Sequence, residues 1–257
     1  MKWFVSFRLG LLSALLVIAG CKRAATAPLR VAAAADLTFA FQELGALFEK
    51  QSGKRVTFVF GSTGLLEKQL AEGAPYDLFA AANVSFADDA VRAGACEAAS
   101  KSLYARGRVV VWTREAADAQ PASLSDLAGP RFKRVAIANP DHAPYGRAAR
   151  EALQRVGAWD AVAKKIVYGE NVQQALQFAQ TGNVEAAVVA LSLATVTKGG
   201  RTLPIDPALH APLDQALVVC TRGKDTPGGR AFAALVNSPE ARAVMRRYGF
   251  LLPQERH

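Results

Sequence analysis

Histidine and cysteine are scarce in this chain, whose 257 residues include three of each. No Cys-x-x-Cys pair or Cys/His spacing typical of a metal site occurs, so no structural metal centre is expected. The G-x-S-x-G elbow, the H-E-x-x-H motif and the P-loop are absent as well. No arrangement of nucleophile and base is recognisable, and we therefore expect a binding protein and not an enzyme.

Long apolar runs are also missing. The longest covers the twelve residues from Leu9 to Gly20, which is too short to cross a membrane as a helix. It follows the basic residues Lys2 and Arg8, and this order is typical of an export signal. We therefore expect the mature chain to lie in the periplasm or elsewhere in the cell envelope.

The export signal ends in the segment Ile-Ala-Gly-Cys at residues 18–21. This segment resembles the bacterial lipobox, in which the cysteine is lipidated and becomes the new N-terminus. We expect residues 1–20 to be a lipoprotein signal peptide, Cys21 to carry the lipid anchor, and residues 21–28 to form a tether. The alternative is an ordinary cleaved signal peptide that contains a cysteine.

The remaining cysteines, Cys96 and Cys220, would lie in an oxidising compartment after export. They could form a disulfide, or both could be small buried apolar residues. The sequence leaves both interpretations open.

Positive charge is in excess, but it is not concentrated in any one stretch. Removal of residues 1–20, which contain two basic residues and no acidic one, lowers the formal net charge from +9 to +7. Aromatic residues make up 8% of the chain and are not interleaved with basic ones. A nucleic-acid partner is therefore not expected.

The mature chain alternates short apolar runs with segments of helical spacing. Single helices between successive strands predict parallel βαβ units, here in two clusters at 29–82 and 134–191. We expect two α/β lobes, formed by residues 29–107 with 213–257 and by residues 108–212. Strands are predicted at residues 29–34, 55–60, 77–82, 108–113, 134–138, 165–168, 185–191 and 215–220.

Four predicted strand-to-helix junctions contain groups suited to an anion. Helix N-termini present unpaired N–H groups and a partial positive charge, and glycine and hydroxyl side chains allow close approach and further donation. The ordinary interpretation is that Asp36, Ser62, Thr63 and Asn171 are helix caps. The junctions are Ala35 to Thr38, Gly61 to Gly64, Pro144 to Gly146, and Asn171 with Val172.

Six segments in this order and spacing resemble the periplasmic molybdate-binding proteins. The similarity runs from about Leu29 to Leu252 and is most specific in the third and fourth segments. The segments are VAAAADLT (31–38), FGSTG (60–64), GAPYDLF (73–79), NPDHAPYG (139–146), GAW (157–159) and ENV (170–172).

The resemblance implies a two-lobed α/β fold of the type II periplasmic-binding class, in which each lobe is a βαβ sheet flanked by helices and two strands form a hinge. It further implies a monomer without a cofactor that closes on molybdate or tungstate and delivers it to an ABC transporter permease. Molybdenum or tungsten would be held only within the oxyanion. By position, the contacts would come from Asp36, Thr63, Tyr145 and Val172, the last two mainly through backbone N–H, with Ala35 and Ser62 adjacent.

Two positions depart from the family pattern. Many members have Ser or Asn at the position of Asp36, and an ionised carboxylate cannot donate to an anion. Asp36 could point away and cap the helix, or it could accept a proton from a protonated anion such as hydrogen phosphate or arsenate. The second position is Ala190, where many members have a ligand-donating Tyr, for which Tyr145 could compensate. His142, in the loop before Pro144, is expected to be structural.

The alternatives keep the fold and change the ligand. Phosphate, arsenate or sulfate could replace molybdate, and a small organic ligand is the more distant option, for which Phe60 and Tyr145 are the available aromatic residues.

Overall fold

The computed structural model describes Met1 and residues 27–253. The predicted signal peptide, the lipidation site Cys21 and nearly all of the tether lie outside the described residues. Within the described part of the chain, no helix is long and apolar enough to span a membrane.

The first sheet has five strands in the order β2-β1-β3-β10-β4. β1, β2 and β3 are parallel, whereas β10 pairs antiparallel with both β3 and β4. The strands are β1 (Leu29–Ala34), β2 (Val56–Gly61), β3 (Leu78–Ala81), β4 (Ser102–Arg106) and β10 (Asp214–Val219). The accompanying helices are α1 (Thr38–Ser52), α2 (Thr63–Ala71), α3 (Val84–Arg92), α8 (Thr226–Val236) and α9 (Pro239–Arg247).

The second sheet also has five strands, in the order β7-β6-β8-β5-β9. β6 is parallel to both β7 and β8, and β5 runs antiparallel to β8 and β9. Its strands are β5 (Val109–Arg114), β6 (Val135–Ala138), β7 (Ile166–Gly169), β8 (Ala186–Ala190) and β9 (Gly200–Pro204). Its helices are α4 (Pro144–Arg155), α5 (Trp159–Ala163), α6 (Val172–Gln180) and α7 (Leu191–Ala194).

The chain passes between the sheets twice, from β4 to β5 and from β9 back to β10. The first crossing is Gly107 and Arg108, and the Gly107 N–H donates to the Leu213 carbonyl of the second crossing at 3.0 Å. The two crossings therefore lie side by side. The expected two-sheet α/β architecture, with both sheets flanked by helices, is confirmed.

All eight predicted strands are present, with ends shifted by one residue or less, whereas β4 and β9 were not predicted. Both missed strands are sheet edges. β9 contains Gly200 and Pro204, which disfavour a strand assignment but are tolerated at an edge. Fully buried central strands such as β6 and β8 are continuous apolar runs, which is why they could be recognised.

Cys96 and Cys220 face each other as free thiols, with their sulfur atoms 2.8 Å apart. They form an isolated antiparallel bridge whose neighbouring residues make the hydrogen bonds, Glu97 N–H to Val219 O and Thr221 N–H to Ala95 O. Such non-hydrogen-bonded pairs bring their Cα atoms to about 4.5 Å, which lies within the range that a disulfide spans.

We predict that the exported protein contains a Cys96–Cys220 disulfide. Denaturation with a thiol-alkylating reagent and no reductant should leave both cysteines unlabelled. The intact mass should be lower than that of the reduced protein by two hydrogen atoms. Reduction should lower the free energy of unfolding by about 2–4 kcal/mol, because the bond closes a long loop. The Cys220→Ser variant, with one alkylatable thiol, serves as control. Labelling of both cysteines in the unreduced wild type would contradict the prediction.

Candidate functional site

A small pocket lies between the two sheets, where the carboxyl ends of β1, β2 and β7 meet the loop that follows β6. Its empty volume, counted together with the space open to solvent at its mouth, is about 200 Å³. The pocket is lined by Ala34, Ala35, Asp36, Gly61, Ser62, Thr63, Ala82, Ala143, Pro144, Tyr145, Asn171 and Val172. The structure thus brings together all six residues predicted to contact the anion or lie beside it, whereas Ala190 is not part of the lining.

Three helices begin at this pocket. α2 starts at Thr63, α4 at Pro144 and α6 at Val172, and each has at least nine residues. The N–H groups of a first turn have no partner within the helix, and the helix dipole places partial positive charge there. Thr63, Tyr145 and Val172 all lie in these first turns, so their N–H groups are suited to hold an anion.

Asp36, Ser62, Thr63 and Asn171 could each be an ordinary helix cap, but only one of the four makes a cap bond. Asn171 caps α6, because its Oδ1 accepts from the N–H groups of Gln173 and Gln174 at 3.0 Å each. Ser62 occupies the N-cap position of α2, but its side chain makes no cap bond.

Thr63 is buried within the first turn of α2. Its Oγ1 accepts from the Ala82 N–H at 3.2 Å. This bond leaves the hydroxyl hydrogen available to a ligand. Thr63 can therefore offer two donors, one from the backbone and one from the side chain.

Ser62, which follows β2 of the first sheet, instead connects this half of the protein to the half built on the second sheet. Its hydroxyl donates to the His142 carbonyl at 2.8 Å and lies 2.7 Å from His142 Nδ1. The same carbonyl accepts the Gly64 N–H at 2.9 Å, and a Cβ at position 64 would lie only 2.8 Å from that oxygen. These contacts fit the structural role expected for His142.

Asp36 lies in a 3₁₀ turn between β1 and α1 and is 1% exposed. Its Oδ2 accepts from the Tyr145 hydroxyl at 2.9 Å and from Gln215 Nε2 at 2.6 Å. Its Oδ1 has no hydrogen-bond partner among the described residues. The expectation that this side chain caps a helix is wrong, because it makes no cap bond and turns toward the tyrosine and the glutamine.

Burial raises the pKa of Asp36 to about 6, against the opposing effect of the hydrogen bonds from Gln215 and Tyr145. Burial, followed by the nearby Asp36 carboxylate, raises the pKa of Tyr145 well above its usual range. Tyr145 therefore remains a neutral donor at physiological pH, whereas the pKa of Asp36 lies close to physiological pH.

Tyr104 and Gln215, which no sequence motif indicated, also surround Asp36. Both are buried, and the Tyr104 hydroxyl donates to Gln215 Oε1 at 2.8 Å, which orients the amide so that its nitrogen meets Asp36. The one available signal was a polar residue, Gln215, within a run otherwise typical of a buried strand.

A larger cavity, with an empty volume of about 1010 Å³, lies beside the two crossings. It is lined mostly by apolar residues, among them Val109, Leu191 and Ile205. No α-helix of eight or more residues begins among its lining residues, so it lacks the convergent N–H groups of the smaller pocket.

Comparisons with known proteins agree with this geometry. The family model of bacterial extracellular solute-binding proteins matches residues 29–251. The molybdate-binding protein ModA of Rhodobacter capsulatus is 33% identical, over 96% of this chain and 97% of its own. ModA of Azotobacter vinelandii is 36% identical, over 88% of this chain and 91% of its own.

A solved structure, the Azotobacter vinelandii periplasmic molybdate-binding protein, superposes with a TM-score of 0.81 at 28% identity, covering 88% of this chain and all of the other. The type II periplasmic-binding fold and the resemblance seen in the sequence are both confirmed. The chain therefore belongs to the family of bacterial extracellular solute-binding proteins.

Proposed function

We propose that this protein captures molybdate or tungstate outside the cytoplasm and delivers it to the permease of an ABC transporter. The observation that carries the proposal is the meeting of three helix N-termini at a small pocket with no Lys, Arg or His in its lining. The names of relatives that match nearly the full chain support molybdate as the solute. Since these relatives are binding proteins, the protein is not an enzyme.

Neutral donors suit a transported oxyanion. Backbone N–H groups and hydroxyls replace the water around the anion, and the helix dipoles supply a favourable potential. A buried ion pair with Lys or Arg would require the separation of two charges at release, and in a medium of low dielectric constant this separation is costly. A site built from dipoles therefore combines tight binding with release.

In the proposed complex, Thr63 contacts the anion through its N–H and hydroxyl, and Tyr145 and Val172 contact it mainly through N–H. Asp36 contacts the anion from the same side of the pocket as Thr63, and Ala35 and Ser62 lie beside these two residues. All of these contacts are to the oxygen atoms of the anion, so no residue coordinates the metal itself.

Lobe 1 is proposed to consist of residues 29–107 with 213–257, and lobe 2 of residues 108–212. Asp36 and Thr63 belong to the first lobe, and Tyr145 and Val172 to the second. An anion that bridges both sets stabilises the closed form, which the transporter then recognises. The protein acts as a monomer, and lipidation at Cys21 keeps it at the membrane.

Phosphate and arsenate form the second candidate class, because the carboxylate of Asp36 can accept a hydrogen bond from the O–H of a protonated anion. Sulfate carries no proton at neutral pH, as molybdate and tungstate carry none, so the carboxyl of Asp36 does not separate sulfate from them. A sugar or an amino acid is less favoured, because the lining contains no Lys, Arg or His and its one aromatic side chain is Tyr145.

Residues 22–257, produced without lipid, should be stabilised by molybdate and tungstate. A ligand at about 100 times its Kd adds roughly 2.7 kcal/mol to the free energy of unfolding. Thermal unfolding and titration calorimetry against molybdate, tungstate, sulfate, phosphate and arsenate test this expectation. Stabilisation by phosphate or arsenate alone would reassign the solute, and no response to any oxyanion would refute the proposed function.

The Thr63→Ala variant should bind molybdate about 10- to 100-fold more weakly, because a hydrogen bond to a charged group contributes about 1.5–3 kcal/mol. Thr63→Asp should nearly abolish binding through charge repulsion. Thr57→Ala, at an exposed position on the neighbouring strand β2, is the matched control. Wild-type affinity in a folded Thr63→Asp protein would exclude Thr63 from the site.

Full-length protein expressed in a bacterium should fractionate with membranes. The Cys21→Ser variant should lose this association, since a lipid anchor supplies the affinity. Immunoblots of membrane and soluble envelope fractions measure the change. Membrane association that survives the substitution would argue for an ordinary signal peptide and against the anchor.

A further inference from the structure

Asp36 is the only lining residue of the pocket that carries a charge near neutral pH. The other titratable lining residue, Tyr145, is held neutral by the upward shift of its pKa. Asp36 is buried, and no cation forms a salt bridge with it among the described residues. A doubly charged oxyanion in this pocket would therefore meet an uncompensated negative charge if the carboxyl stayed ionised.

The elements packed around the Asp36 turn provide no compensating charge. α6, α7 and β2 contain no charged residue. The carboxylate of Glu43, on α1, pairs with Arg247. Near β4 and β10, Arg106 and Asp214 pair with each other.

On the α4 side, the guanidinium of Arg147 donates to the carbonyl groups of Pro140 and Asp141. The other titratable group near the Asp36 carboxyl is Tyr104, whose pKa is raised well above its usual range by burial and then by Asp36 itself. Asp36 therefore has no compensating charge around it, and its two hydrogen-bond partners, Tyr145 and Gln215, are neutral donors.

The hydrogen bonds of the carboxyl are unequal. Oδ2 accepts two donors, whereas the buried Oδ1 accepts none among the described residues. An unpartnered carboxylate oxygen in a buried site is costly. A proton on Oδ1 converts it from an orphaned acceptor into a donor, which is the group that an anion requires.

We propose that Asp36 takes up one proton from solvent when a doubly charged oxyanion binds, so that the protein captures the anion and a proton together. This inference rests on the proposed function. The incoming proton forms an O–H bond at the carboxyl, and that O–H donates to an oxygen of the anion. On release the proton returns to solvent as the anion leaves. Protonated Asp36 thereby supplies a donor to the anion, which an ionised carboxylate cannot do.

The pH dependence of binding follows from the empty and the occupied states. In the empty site the pKa of Asp36 is about 6, and a bound dianion raises it further by repulsion. Below about pH 6 the carboxyl is already protonated, so the association constant should be nearly independent of pH. Above that value binding requires proton uptake, and the association constant should fall up to tenfold per pH unit.

Titration calorimetry with molybdate at pH 7.5, in buffers of different ionisation enthalpy, measures the uptake directly. The wild type should take up close to one proton per anion bound. Asp36→Asn, which keeps the shape and supplies a permanent donor, should bind without uptake and with a Kd independent of pH. Asp141→Asn, at an exposed acid near the pocket, is the matched control and should behave as the wild type.

The outcomes separate the two proposals. Molybdate binding without proton uptake by the wild type, or uptake retained in Asp36→Asn, would overturn the role of Asp36 and leave the proposed function standing. No binding of any oxyanion by the wild type would overturn the function itself. If Asp36→Asn does not fold, Gln215→Leu replaces it: loss of this donor raises the pKa of Asp36, so the pH above which affinity falls must move upward, and an unmoved value refutes the proposal.

Discussion

The central constraint on this structure is that an anion must be held away from water without a positively charged side chain. Aligned backbone dipoles can do this, and they act over little more than the first turn of a helix. α2, α4 and α6 must therefore begin within a few ångströms of one point. Two sheets whose parallel strands end toward each other satisfy this requirement, because each strand delivers its following helix to the shared gap.

The same gap also holds the two halves together. Tyr145 reaches Asp36, Ser62 reaches His142, and the Ser192 hydroxyl donates to the Asp36 carbonyl at 2.8 Å. The proposed binding residues and the residues that connect the two sheets are thus neighbours along the chain, and Asp36 and Tyr145 belong to both sets. In the proposed function, closure and ligand contact are therefore coupled, since the contacts that complete the pocket are also the ones that satisfy these side chains.

Local pattern predicted most of the fold. Buried strands and the glycine- and hydroxyl-rich junctions around Thr63 were recognisable because each is defined by a few consecutive residues. The edge strands β4 and β9 were missed because half-exposed strands lack a continuous apolar run. The network from Tyr104 through Gln215 to Asp36 joins residues more than a hundred positions apart. No local rule indicates such contacts, and for that reason the environment of Asp36 was predicted incorrectly.

The carbonyl of His142 has a mechanical consequence. On that side of the pocket it accepts both the Gly64 N–H and the Ser62 hydroxyl, so two contacts between the halves depend on one loop. Because both bonds end on the same oxygen atom, any shift of this loop away from α2 breaks them together.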